Sequence, residues 1–473
     1  VLFSVLYLLR INTLSRLFLI IGVLLFVVSV SIINSYTLNM RITNIILIAI
    51  GAYLVANTST LDTEIEVVIE ESIEATISIQ EELENVKLNY NNFSTTYLGS
   101  YDLEEEYTIS KFSICCTDYK YFNYGQKTNG YIKVYNENLI YLTGNANIQI
   151  FNTSELKNKK QNITTRNVDS NLSEIINNSF IFKAGWESIK DFLIFDDEIY
   201  ISYIEEIEKD CVNIQILKGE FNFEYIEFEK FFTHDKCILR NAEYFNAHQS
   251  GGKLLKVDKD TIAISIGDFR QYELAQNDES LFGKIHLIDL ATSNVTTLAK
   301  GVRNPQGLSL SNNSDFIIST EHGPKGGDEI NIVELNKINN FGWPISSYGD
   351  HYGGTLKYSS DLEKLYELAP FHKSHKKYGF REPAYYFPYN KVVSHGISDI
   401  EINYFSPNKF LIGTLNGRVL YDVELNLDEN KLSTIDTFKI FERIRDLEYD
   451  QANDVYFLIF EDTPAIGILE KNN

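Results

Sequence analysis

The residues best suited to chemistry sit among turn formers. From Gly301 to Pro344 the chain reads GVRNPQGL, then EHGPKGGDEIN, then NNFGWP, with Arg, Asn, His, Asp and Glu set among glycines and prolines. Glycine and proline make tight turns and let backbone approach a ligand, and charged side chains on such turns are costly to hold unless they meet something. Arg303 and Asn304 can donate to carbonyl or carboxylate oxygens, presented by the turn at Pro305 and Gly307. In His322-Gly323-Pro324 the free backbone carbonyls suit a hard cation such as Ca²⁺, with Asp328 and Glu329 close by in sequence. An acidic loop between strands would explain any one piece; the three in order point to a ligand site.

Two further groups lie outside that run. His248 stands in the polar segment NAHQSGGKL (246–254), and a histidine there can act as a general base because its pKa lies near neutrality. Such a base needs a partner to fix its tautomer, and Asp268, at the end of the following strand-like stretch, is a candidate. Arg443 and Arg445 alternate, which puts both guanidinium groups on one face of a strand. There they would either grip an acidic ligand or form a surface ion cluster with Glu442 and Asp446.

The elements that must position these residues are short strands. Runs such as Phe192–Ile204, Thr261–Asp268, Lys409–Leu425 and Asp454–Phe460 are rich in Ile, Val, Tyr and Phe and are broken by Asn, Asp and Gly. Asn416-Gly417 between two alternating runs is a strong hairpin signal. No long 3.6-residue period occurs after residue 100. Many short strands without a βαβ rhythm indicate an all-β, closed or radially repeated architecture such as a propeller, although no clean repeat period is visible.

The N-terminus has a different texture. Leu17–Ile33 and Ile42–Ala56 are apolar runs. Two crossings would return the main domain to the side of Arg10 and Arg16. Met40, the one methionine, stands before Arg41 and the apolar run Ile45–Val55, so a start there would make a secretory signal or signal-anchor and an exported domain. The expected division is residues 1–60 as hydrophobic segments, 61–95 as an acidic helical spacer that includes Thr63–Val86, and 96–473 as the β domain. The net charge of −23 argues against nucleic acid as a partner. Of the four cysteines, Cys115, Cys116, Cys211 and Cys237, none has metal-ligand spacing, and Cys211 with Cys237 would be either a disulfide or two buried thiols.

HQSGGKL, IGD, AQxxxxxxGKI (Ala275–Ile285), RNPQGL, EHGPxGGDEIN, FGWP, EPAYYF (Glu382–Phe387) and RIRD follow one another in one order. That series resembles the soluble-type glucose/sorbosone dehydrogenases that use pyrroloquinoline quinone (PQQ), especially their aldose sugar dehydrogenase branch. The similarity runs from about Gly185 to Phe460. It implies a six-bladed β-propeller carrying PQQ beside a Ca²⁺, an aldose substrate oxidised at its anomeric hydroxyl, and an electron acceptor of unknown identity. By the family pattern His248 is the base, Asp268 orients it and Arg303 lies over the reacting quinone oxygens. Gln249 and Asn304 contact the cofactor, Arg443 and Arg445 bind its carboxylates, and Gly323 and Pro324 offer carbonyls to the cation. The chain departs from the pattern at Asn416, where glucose-oxidising relatives have a lysine. It departs again around Trp186, where the glutamine-bearing loop is unrecognisable, and at Val393-Ser394-His395-Gly396. Against this enzyme stand two alternatives: a propeller kept as a carbohydrate- or protein-binding module, and a Ca²⁺-dependent lactonase-like hydrolase.

Overall fold

The computed structural model describes residues 93–114, 130–183, 187–349 except Tyr244 and Lys325, 374–388, and 395–472 except Pro407. The two N-terminal apolar runs, Met40, the acidic spacer up to residue 92, Cys115, Cys116, Trp186, Val393 and Ser394 lie outside them, whereas residues 93–95 of the expected spacer begin the strand Phe93–Leu103. Among the described residues no helix is long and apolar enough to cross a membrane.

The strands form six blades around one axis. Their innermost strands are Gly130–Tyr135, Ile189–Phe195, Gly251–Lys256, Pro305–Leu310, Ile397–Ile402 and Ile444–Asp450. Each packs against the next, and the last returns to the first. Numbered from Gly130–Tyr135, blades 1 to 6 begin with these strands in turn. Blade 5 is typical: Ile397–Ile402, Lys409–Thr414, Val419–Asn426 and Lys431–Lys439 pair antiparallel in sequence order. Blade 6 takes its outermost strand from the other end of the chain, where Tyr107–Ser113 pairs along Ala465–Lys471. Strand Phe93–Leu103 then joins Tyr107–Ser113 to Asn162–Ser170 of blade 1. The six-bladed all-β propeller expected from the sequence is the observed fold.

The strands alternate so that apolar side chains fill the spaces between blades. Ile140 and Leu142 of blade 1 meet Phe192, Ile201 and Leu217 of blade 2 in one buried cluster. Tyr200 and Ile214 meet Leu254 and Ile264 of blade 3 in the next. The Asn416-Gly417 hairpin forms as expected, pairing Ile412 with Tyr421. Cys211 and Cys237 are joined by a disulfide beside the pairing of Ile238–Leu239 with Cys211–Glu220.

In an antiparallel blade, the start of the innermost strand and the turn between the second and third strands lie at the same end of the ring. That end gathers the chemistry.

Candidate active site

Five of the six innermost strands have a break in register close to their starts. The residues skipped by the pairing are Lys190, Gly252 with Lys253, Gln306, Ser398 with Asp399, and Arg445. A bulge leaves its residue out of the ladder and re-aims its side chain. Lys190, Lys253, Gln306, Ser398, Asp399 and Arg445 duly converge with Tyr131 and Asp446 on a small cavity at the ring axis. On its floor the buried Lys253 Nζ lies 2.8 Å from Asp399 and 2.9 Å from Asp446, which holds three elements together by one ammonium.

Above this floor stand the expected residues. His248 lies on the one-turn 3₁₀ helix Ala247–Gln249, whose cap Asn246 accepts the His248 N–H at 2.9 Å. Desolvation lowers the His248 pKa, Glu187 pulls it back up, and Lys190 and Arg445 push it down again. The imidazole is therefore held neutral near pH 7, the form a base needs. The buried Asn304 ties this loop to blade 4. Its Oδ1 accepts from Gly251 N–H (3.1 Å) and Gln306 Nε2 (3.0 Å), and its Nδ2 donates to the His248 carbonyl (3.3 Å). Gln249 is buried, and its Oε1 has no hydrogen-bond partner.

Asp268 is buried too, but its carboxylate is spent elsewhere: Oδ1 accepts from Arg270 N–H and Oδ2 from the Trp343 indole, both at 2.8 Å. Burial lifts its pKa to about 6, against the pull of Arg303. The carboxylate whose charge acts on His248 is Glu187, while Asp268, expected to orient the histidine, is bonded to Arg270 and Trp343. Burial would raise the Glu187 pKa, but Lys190 at 3.0 Å, Arg445 at 3.6 Å and His248 hold it well below the usual carboxylate range.

The two arginines of RIRD do converge. Arg443 Nε and Arg445 Nε donate to the two oxygens of the buried Glu461, at 2.9 and 2.6 Å. The partner is thus neither Glu442 nor Asp446 but a residue from the next turn of blade 6. Arg303 Nη1 donates to the carbonyls of His322 (2.8 Å) and Gly323 (2.7 Å), while Glu321 Oε1 accepts the Arg303 backbone N–H (2.7 Å). A carbonyl expected to hold a cation is engaged differently here. The Gly323 carbonyl faces a guanidinium, and the nearby Asp328 is committed to the N–H groups of Gly323, Gly396 and Ile397. At an effective dielectric of 20, a dication about 5 Å from a guanidinium is opposed by roughly 6–7 kcal/mol, so Gly323 and Pro324 as arranged do not fit Ca²⁺.

Glu187, Lys190, Gln306 and Glu461 escaped the sequence reading. Lys190 and Gln306 are signalled only by bulges, which pairing reveals. Glu461 could have been suspected as a carboxylate ending the apolar strand Val455–Phe460.

The Glucose / Sorbosone dehydrogenase family model matches residues 190–467. The chain belongs to that family. Aldose sugar dehydrogenase YliI of Escherichia coli K12 is 33% identical over 117 residues, which are 22% of this chain and 31% of that protein. An uncharacterised Synechocystis protein is likewise 33% identical, over 127 residues, 22% of this chain and 30% of its own length. The matched stretch thus spans about a third of these curated relatives. Among solved structures, the soluble aldose sugar dehydrogenase of E. coli in its apo-form superposes with a TM-score of 0.56 at 18% identity, over 73% of this chain and 97% of that one. The PQQ-bound aldose sugar dehydrogenase of Streptomyces coelicolor gives 0.53 at 14% identity, over 78% and 100%. At these identities the likeness bears on the fold, and it agrees with the glucose/sorbosone dehydrogenase propeller.

Proposed function

We propose that this glucose/sorbosone dehydrogenase family member oxidises an aldose at its anomeric hydroxyl to the lactone, with PQQ as cofactor. The observation that carries the reading is the meeting of His248, Arg303, Asn304, Arg443 and Arg445 at one end of the axis, from blades 3, 4 and 6. The residues fit an anionic, carbonyl-rich cofactor: Arg303, Arg443, Arg445 and Lys190 concentrate positive charge there. Bound PQQ would supply the quinone that accepts a hydride. His248, neutral near pH 7, would take the hydroxyl proton at a ring nitrogen, and Glu187 would stabilise the imidazolium so formed. Arg303 and Asn304 would orient the cofactor, Gln249 would offer it or the substrate a buried amide, and Arg443 and Arg445 would hold carboxylates by exchanging part of their bonding to Glu461. No step runs through calcium.

We further read residues 1–60 as a membrane anchor or signal, 61–95 as a spacer and 96–473 as an exported domain, which the Cys211–Cys237 disulfide supports because such bonds persist in oxidising compartments. The electron acceptor is left open.

A second reading, a non-catalytic binding propeller, is favoured by Glu461, which already engages both arginines. One experiment separates the two. The purified protein is titrated with PQQ in a calorimeter, then followed for dye reduction with a panel of aldoses. Binding with sugar-dependent reduction is expected, and His248→Ala should bind PQQ yet lose turnover. Absence of both binding and reduction sinks the enzyme, and normal turnover by His248→Ala sinks the base assignment.

A further inference from the structure

Among the described residues, two phenylalanines hold a left-handed backbone, Phe269 at φ 50° and Phe441 at φ 62°. Positive φ is disfavoured for any bulky residue, and at such a position glycine or asparagine would turn the chain with little cost. Phe269 has a reason to be there. Its ring is fully buried, with the Phe245 and Phe282 ring centroids 6.1 and 5.7 Å away. Phe441 has no such compensation: it is 73% exposed, the most exposed of the large apolar side chains described.

Its position is specific. Phe441 lies in the link between Lys431–Lys439 of blade 5 and Ile444–Asp450 of blade 6, at the end of the ring that holds the site and two residues before Arg443. The backbone N–H groups of Ile440 and Phe441 both donate to the Arg418 carbonyl, at 3.1 and 3.0 Å, and so fasten the link to the hairpin turn of blade 5. Asp462 fastens the same rim from blade 6, accepting from Arg418 Nε (2.6 Å) and from the Arg443 N–H (3.2 Å). A strained, displayed aromatic ring held at a site rim is an outlier of the kind that marks function.

We propose that Phe441 is the plate against which the apolar face of the substrate's sugar ring stacks, a role that rests on the aldose dehydrogenase reading. A pyranose presents a flat face of C–H groups edged by hydroxyls. Phe441 presents a flat apolar ring on a rim that also carries Arg418, Arg443 and Asp462, polar groups of the kind that meet hydroxyls. A single ring among charges is too small an apolar area to dock a protein acceptor.

The test compares the PQQ-loaded wild type with Phe441→Gly, Phe441→Asn and Phe441→Tyr, reading KM and kcat for the aldose, KM for the dye, PQQ affinity and Tm. Gly and Asn accept the left-handed turn, so both should hold or raise Tm. They should keep PQQ affinity and kcat within about twofold and raise the sugar KM about fivefold or more, while Tyr keeps the sugar KM near wild type. An unchanged sugar KM overturns the proposal with the dehydrogenase reading intact. So does a change in the dye KM alone, which would make the ring an acceptor contact, or a loss of folding in both Gly and Asn, which would make it structural. A wild type that oxidises no aldose removes the functional reading and this plate with it.

Discussion

At the scale of single residues, the site is decided by which carboxylate answers which cation. Asp268 is fully buried and Arg303 is the cation that most offsets its burial, so its ionisation near pH 6 changes the field at Arg303. Below about pH 6 Asp268 is neutral and Arg303 loses a counter-charge. Above it the pair is complete. His248, whose pKa desolvation lowers, adds its own loss of activity on the acid side as it takes up a proton. The expected kcat/KM therefore rises as pH passes through about 6. Asp268→Asn should flatten that limb and lower the plateau, because an amide cannot balance the guanidinium. An unchanged limb in Asp268→Asn would assign it to another group.

At the scale of elements, the bulges at the strand starts turn a sheet edge into a site, and they set which parts of the site could be read in advance. His248, Arg303 and Asn304 were legible because each sits in a segment whose turn formers have no purpose in a plain strand, and Arg443 and Arg445 because two guanidinium groups alternate along RIRD. Lys190 was not, since IKDFLIF reads as a buried strand until the pairing slips between Ile189 and Asp191. Blade number was hidden for a similar reason: blades 4 and 6 depart from the plain four-strand plan, one with a long excursion before Tyr385–Tyr386 and one with a strand borrowed from residues 107–113. The bulge of blade 3 offers a direct test. Gly252 has φ +111°, and a Cβ there would stand 2.2 Å from Lys190 Cβ. Gly252→Ala should cost about 1–3 kcal/mol in denaturant unfolding and weaken PQQ binding by displacing Lys190. A destabilised variant with unaltered PQQ affinity would separate Lys190 from the cofactor.

At the scale of the molecule, the ring is closed by a strand from one end of the chain laid against three from the other. Tyr107–Ser113 pairs residue for residue with Ala465–Lys471, and Phe93–Leu103 carries the closure on to blade 1. The blade completed in this way is the one whose innermost strand presents Arg445 and follows Arg443, so closure and the arginine clamp are mechanically one element. Ile109 of the closing strand is fully buried among Leu447, Leu458 and Leu469. Ile109→Ala should cost about 2–5 kcal/mol, as removal of buried methyl groups does elsewhere. Ile214, equally buried in blade 2, gives the comparison. Ile214→Ala should lose similar stability, but its blade carries neither arginine. Both variants should lower the unfolding midpoint, and Ile109→Ala should weaken PQQ binding more than Ile214→Ala under conditions where both remain folded. Equal loss of affinity in the two would mean that the clamp depends on the stability of the whole ring rather than on its seam.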